Sequence, residues 1–306
     1  MSLPAGFTSR PATHDDAHDI WELVVAVDVE EYGDPDYDES DVRDDFARDR
    51  LDLTRDSWLV HDASGALVAC ALAWDKEPHA LVVADSAVHP DAPDLYPWLV
   101  ARIGERAAEH ARESGRAVAH LYNSEPNLRR AAAITGAGYE LVRVFRRMEA
   151  PLPAAPPPRD AGVRQVTPED LRAVWEVMQA AFAEHYDFVP MSWEAWHRAF
   201  VESESYRPDL WWLAARDGEV VGILIGQAHE EKGWVKTVGV LPSARGTGVA
   251  SALLLTAFAR FAELGYPKVG LGVDSDNTTG AMRVYERLGM TATRRYDLYE
   301  KVFTRT

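Results

Sequence analysis

The chain has 306 residues, 47% hydrophobic and 26% charged, with a formal net charge of −17. That suits a globular protein of two domains, each long enough to bury a core, and the acidic excess argues against a nucleic-acid partner. No apolar run reaches the ~18 residues of a membrane span, the N-terminus lacks the regions of a signal peptide, and a single cysteine, Cys70, excludes an internal disulfide and a zinc set. A cytoplasmic protein, monomer or homodimer, is therefore expected. The charge is lopsided: residues 1–150 hold 15 Lys and Arg against 29 Asp and Glu, whereas the remainder hold 17 against 20. Much of the excess falls in Asp28 to Asp56, which reads as a solvated helical face or mobile loop, the alternative being a field that attracts a cationic amine or a basic partner.

In chain order, a short strand near Thr8–Thr13 runs into helices near Ala17–Val29 and Val42–Leu51. Strands follow at Trp58–His61, Leu67–Trp74 and Ala80–Val88, then a helix at Leu95–Glu113. A strand at Ala117–Tyr122, a helix at Asn127–Thr135 and strands over Gly138–Met148 close the first half. Cys70 lies in the apolar strand, as a buried thiol would. Residues 151–161 are a proline-dense connector that cannot continue a helix or a sheet interior.

The second half repeats the order. A short strand at Val163 leads to a helix with apolar residues at Leu171, Val174, Trp175, Met178 and Phe182, a helical spacing. A helix at Trp193–Val201 and strands at Trp211–Ala215, Val220–Ala228 and Trp234–Leu241 come next. Helix Val249–Leu264, strand Val269–Val273, helix Asn277–Leu288 and a last strand pair reaching Phe303 complete it. A period of about 150 residues is too long for a solenoid. The fold class is therefore α/β in the α+β sense: two tandem domains, each a mixed, mostly antiparallel sheet flanked by helices.

Between a strand and a helix stands Arg245-Gly246-Thr247-Gly248-Val249-Ala250. Two glycines let successive backbone N–H groups converge on an anion, and the following helix adds its dipole and its orphan N–H groups. No Gly-Lys-Ser/Thr follows, and the three-glycine dinucleotide spacing is missing, so neither of those phosphate loops is present.

Arg245-x-x-Gly248-x-Ala250 resembles the pyrophosphate motif of the GNAT acetyltransferase superfamily. Ser275-Asp276-Asn277, followed by Ala281 to Met290 with Tyr285 inside it, is similar to that superfamily's last motif helix. The resemblance covers Val163 to Phe303. It implies acetyl-CoA as cosubstrate, its pantetheine arm along Val238, Gly239 and Val240, and its diphosphate on Arg245, Gly246, Thr247, Gly248, Val249 and Ala250. Ser251 would cap a phosphate oxygen, and Asn277 would bond the arm or serve as a helix N-cap. Tyr285 would be the general acid that protonates the departing thiolate.

The implied activity is acetyl transfer to the primary amine of a small molecule, by direct attack. A non-catalytic acyl-CoA sensor, an interaction scaffold and an acetyltransferase acting on a protein amine are the rivals. Tandem members similar to mycothiol synthase carry a base glutamate in the strand before the cradle; here Trp234 stands at the matching position. Glu230, Glu231, Asp274 or a water relay are the substitute candidates for the base. Residues 183–190, with Tyr296 and Tyr299, are expected to shape the acceptor pocket, and no ligand set suggests a metal. In the first half, the turn after Val88 has no glycine and carries Asp91 and Asp94, and Ile134 or a neighbour takes the tyrosine position. Residues 1–150 are thus expected to be a degenerate copy without a normal acetyl-CoA site, and 162–306 the catalytic domain.

Overall fold

A computed structural model describes residues 1–35, 37–158, 162–186, 188–229, 231–277 and 280–305. In chain order its first elements are β1 (Thr8–Arg10), α1 (Ala17–Tyr32), α2 (Glu39–Phe46), α3 (Leu53–Asp56), β2 (Ser57–His61), β3 (Leu67–Glu77) and β4 (Leu81–Val88). Then come α4 (Tyr96–Ser114), β5 (Arg116–Ser124), α5 (Leu128–Gly136) and β6 (Glu140–Pro151). The second half holds β7 (Val163–Gln165), α6 (Leu171–Phe182), α7 (Trp193–Phe200), β8 (Trp211–Arg216), β9 (Glu219–Ala228) and β10 (Gly233–Val240). It ends with α8 (Val249–Glu263), β11 (Lys268–Asp274), α9 (Ala281–Arg287) and β12 (Thr291–Thr304). None of the described helices is long and apolar enough to cross a membrane.

Both halves open with the same local device. Thr13 and Asp16 form a capping box in which Asp16 accepts from the Thr13 N–H at 2.7 Å and from Arg10 at 2.8 Å. Thr167 and Asp170 repeat it, with Arg164 donating to Asp170 at 2.6 Å. In each case the guanidinium anchors the first strand to the turn that starts the helix, satisfying orphan N–H groups there.

Two compact units result. The first comprises Met1–Val144 together with Arg294–Thr306, and the second Phe145–Thr293. In the first, β1, β2, β3 and β4 pair antiparallel in sequence, β4 pairs β5 in parallel, and β12 completes the sheet antiparallel to β5. In the second, β7, β8, β9 and β10 pair antiparallel, β10 pairs β11 in parallel, and β6 completes the sheet antiparallel to β11. The final strand of each sheet thus comes from the other half of the sequence. This departs from a division at residue 150: Phe145–Pro151 pairs with β11, and Ala150 is a buried partner of Val269 in the second unit. The proline-rich stretch begins as sheet at Ala150 and Pro151, and leaves regular structure only from Leu152; Arg159, Asp160 and Ala161 lie outside the described residues.

Each unit has its own apolar core. In the first, α4 lays Leu99 and Ile103 against Val82, Ala84 and Leu121. A second cluster joins Ile20, Leu23, Val42 and Phe46 to Leu59 and Cys70, whose thiol burial pushes up to about 12. In the second unit, Phe258 and Phe261 of α8 and Trp196 of α7 are fully buried with Trp211 and Ile223 of the sheet. Val235, Leu271 and Tyr285 belong to this core and also face a cleft in the sheet.

Candidate active site

The parallel β10–β11 ladder lasts only three residue pairs, ending at Val235↔Leu271. Beyond it, β10 shifts register against β9 between Val235 and Thr237, so Lys236 is a bulge that turns the strand away from β11. The two strands part, and a cavity of about 280 Å³ opens between Thr237–Val240 on one side and Leu271–Asp274 on the other. Phe182 and His185 close one wall, and Val284 and Tyr285 another. Gly239 lets this lip approach α6 closely: a Cβ there would stand 3.1 Å from the Ala181 Cβ and 3.2 Å from the Phe182 ring, tighter than ordinary contact. Phe145 of β6 also lines the cavity, a residue that sequence order assigns to the other half.

At the open end of β10 the chain makes a single 3₁₀ turn, Pro242–Ala244, and enters the glycine loop. Gly246 and Gly248 have φ of 74° and 88°, with open space where a Cβ would stand, so conformation rather than crowding demands glycine at both. Gly248 occupies the N-cap position of α8, whose first N–H groups have no intrahelical partner. Arg245, Gly246 and Ala250 line the cavity, whereas the Val249 side chain is buried in the core. Thr247 Oγ1 donates to the Ala244 carbonyl at 2.5 Å, and Ser251 lies within the first turn of α8. The Arg245 guanidinium ties the loop to the C-terminal end of α6, donating to the Ala181 carbonyl at 3.2 Å and to Glu184 at 2.9 Å.

Tyr285 is 7% exposed, on α9, and burial pushes its phenol up to about 12. Asn277 lines the cavity, but it is not the N-cap expected of it: α9 starts at Ala281, with Gly280 at the N-cap in the left-handed region. Thr278 and Thr279, between them, lie outside the described residues. Of the candidate bases, Asp274 lines the cavity and Glu231 is an exposed residue outside its lining. Glu230 lies outside the described residues, as does Asp187 of the expected acceptor segment. Tyr296 and Tyr299 belong to the first unit, where β12 pairs with β5; Tyr296 lines a cavity there and Tyr299 packs into the core. That corrects their placement in the acceptor pocket, and the cause is the exchanged strand. Trp234 lies against Gly270, where a Cβ would stand 2.8 Å from its ring, with the Arg147 guanidinium 4.5 Å from the ring centroid. His185, expected from the sequence only as part of the acceptor segment, packs on Phe182 with ring centroids 4.5 Å apart. Burial lowers its basicity below that of an ordinary histidine, so the imidazole is uncharged at neutral pH.

The first unit has the matching split without the cradle. Its β4–β5 ladder ends at Ala84↔Leu121. The following turn contains Pro90 and Pro93, and no glycine. Glu31, near the end of α1, enters this gap, accepting from Asn127 Nδ2 at 2.6 Å and from the Ser124 hydroxyl. A carboxylate therefore lines the cavity there, and Ile134 is fully buried on α5.

Two parallel strands that part beside a helix N-terminus leave backbone groups of β10 open to an extended ligand and the first N–H groups of α8 open to an anion. The family model described as Acetyltransferase (GNAT) family matches residues 171–290. A mycothiol acetyltransferase of Streptomyces griseus subsp. griseus is 34% identical over 239 residues, covering 74% of each chain. Another, from Streptomyces avermitilis, is 32% identical over 257 residues and covers 78% of each. Among solved structures, a GCN5-related N-acetyltransferase from Sphaerobacter thermophilus superposes with a TM-score of 0.82 at 30% identity, over 99% of this chain and 98% of that one. A tandem GNAT protein from the clavulanic acid biosynthesis pathway shares the fold, with a TM-score of 0.68 at 18% identity over 97% and 98%. The chain belongs to the GNAT acetyltransferase family. It is an acyltransferase, and acetyl-CoA is its cosubstrate.

Proposed function

We propose that the second unit transfers the acetyl group of acetyl-CoA to the primary amine of a small molecule by direct attack. The observation that carries this reading is a buried phenol, Tyr285, in the same cleft as a left-handed glycine loop at a helix N-terminus. In this reading the diphosphate lies on the N–H groups of Gly246 to Ala250, and the pantetheine arm runs along Val238–Val240 toward the bulge at Lys236. A bulge residue drops out of the strand ladder, so backbone N–H groups there can polarise the thioester carbonyl as it becomes tetrahedral.

Collapse of that intermediate expels a thiolate, which Tyr285 protonates. A phenol near 12 is a weak acid for an ordinary thiol, whose pKa is ~8.5 in water. Burial acts on a thiol in the same direction, as it does on Cys70 in the core of the first unit. A thiolate expelled into a dry cleft is raised in the same direction, which narrows the mismatch. The attacking amine gives its proton to the Asp274–His185 edge of the cavity, where His185 is uncharged and able to accept it. A cytoplasmic location, with access to acetyl-CoA, accompanies this reading.

The test is calorimetry with acetyl-CoA, followed by CoA release with a panel of amines, for wild type and Tyr285→Phe. The variant is expected to bind acetyl-CoA normally and to lose roughly 10²-fold or more in kcat on an accepted amine. Wild-type turnover by the variant would remove the role given to Tyr285, and no acetyl-CoA binding would remove the whole reading. The identity to mycothiol acetyltransferases supports a narrower second reading, in which the acceptor is the one those relatives use, and it belongs in the panel.

A further inference from the structure

We infer that the first unit carries a divalent transition-metal site, formed where the β3–β4 turn meets the end of α4 and built from Asp75, His79 and His110. The Nδ1 atoms of His79 and His110 stand 2.9 Å apart. An Asp75 carboxylate oxygen lies 3.9 Å from the first and 4.0 Å from the second. Glu113 adds a carboxylate oxygen 3.2 Å from the same His79 nitrogen. Zinc–nitrogen and zinc–oxygen bonds run about 2.0–2.2 Å, so two donors on one ion stand at most ~4.3 Å apart. All four measured separations fall inside that limit. No local spacing announces this set, because its members lie 4 and 31 residues apart on a strand, a turn and a helix.

Three features of the surroundings point to a ligand rather than to a chance meeting of side chains. His79 has φ of 54°, a left-handed backbone that a non-glycine residue holds at a cost. It is held there from both sides: its N–H donates to both Asp75 oxygens at 2.9 and 3.0 Å, and its carbonyl accepts from Ser114 Oγ at 2.7 Å. Asp75 is 6% exposed, and those two bonds occupy about half of the roughly four lone-pair sites of a carboxylate. His110 is 4% exposed and its remote Nε2 is buried without a hydrogen-bond partner. The polar contacts of that ring are therefore all on the side of His79 and Asp75.

Without a metal, the two facing imidazole nitrogens meet through one shared proton. A cation takes the place of that proton and draws in the carboxylate. The donors are two nitrogens and hard oxygen with no thiolate, which suits zinc and neighbouring late first-row ions and disfavours magnesium. His79 is partly exposed, so water completes the coordination and the ion enters from solvent. Bound there, it fastens the β3–β4 turn to the last turn of α4.

The test uses the full chain, freed of metal with a chelator and titrated with Zn²⁺ or Mg²⁺ by calorimetry and thermal unfolding. One equivalent of Zn²⁺ is expected to bind and raise the melting temperature of wild type. His79→Gln, at a partly exposed turn, is expected to keep the metal-free melting temperature and lose roughly tenfold or more in zinc affinity. No saturable zinc binding, equal binding of Mg²⁺, or undiminished zinc binding by His79→Gln would each overturn the site.

Discussion

Replacing Gly248 with alanine separates the cradle from the helix it starts. Gly248 and Gly265 stand at opposite ends of α8, both with φ of 88° and both with nothing within 4 Å of an added Cβ. An L residue in that region costs about 1–2 kcal/mol, so Gly248→Ala and Gly265→Ala carry the same local strain. Both are expected to lose about that much stability in urea unfolding. Only Gly248 adjoins the cleft proposed to hold acetyl-CoA. If the loop of the Gly248→Ala variant relaxes to shed the strain, its N–H groups turn away from the diphosphate; if it does not, the new methyl occupies ligand space. Either way affinity falls, and 1–2 kcal/mol corresponds to roughly 5–30-fold in Kd. Calorimetry with acetyl-CoA on the two variants decides the matter. Unchanged affinity in Gly248→Ala, or an equal loss in Gly265→Ala, would refute the cradle.

The paired capping boxes make stability sensitive to acid. Arg10 and Arg164 hold the carboxyls of Asp16 and Asp170 well below the usual range. A depressed folded-state pKa gives stability that is present above the unfolded value of ~3.9 and lost as pH falls below it. Urea midpoints measured from pH 6 down to pH 3 are expected to fall, and Asp16→Asn to be less stable at pH 6 with a shallower decline; a parallel decline would refute the assignment. The strand exchange makes a second prediction. Fragments cut within residues 151–161 each lack the strand that completes their sheet, so each alone is expected to show no cooperative unfolding, while co-expression restores acetyl-CoA binding. A cooperatively folded fragment 162–306 would contradict the pairing of β6 with β11.

Local signals in the chain carry most of the secondary structure. The spacing from Leu171 to Phe182 marks α6, and the apolar run after Gly248 marks α8, because both helices bury one face on a sheet. The second helix of the chain lies at Glu39–Phe46 rather than Val42–Leu51, started by a capping box between Asp38 and Asp41. Its signal was present but submerged in an acidic run. Asn277 resembled an N-cap by residue type, yet the left-handed Gly280 takes that position and leaves Asn277 on the cleft. Tyr285 was legible from its motif. His185 was not, since its burial comes from Phe182 and the cleft wall rather than from its neighbours in sequence. Nothing local could place β6 and β12, whose partners lie more than a hundred residues away.

That exchange explains what the first half contributes to a cleft it does not resemble. The lip formed by Leu271–Asp274 is one strand of a sheet, and a strand that parts from one neighbour must be held by the other. Here the other neighbour is β6: Leu271 to Asp274 pair with Met148 to Phe145, and Phe145 itself lines the cavity. The β10–β11 ladder stops at Leu271, so from Gly272 onward β6 supplies the ladder that keeps β11 extended while the cleft stays open. The first half has no glycine in its turn and admits Glu31 into its own gap, and neither feature touches the ladder between β6 and β11. What it cannot lose is the strand it lends. The open edge of the second cleft therefore depends on residues 145–151 through backbone geometry, and on the first half as the chain that delivers them.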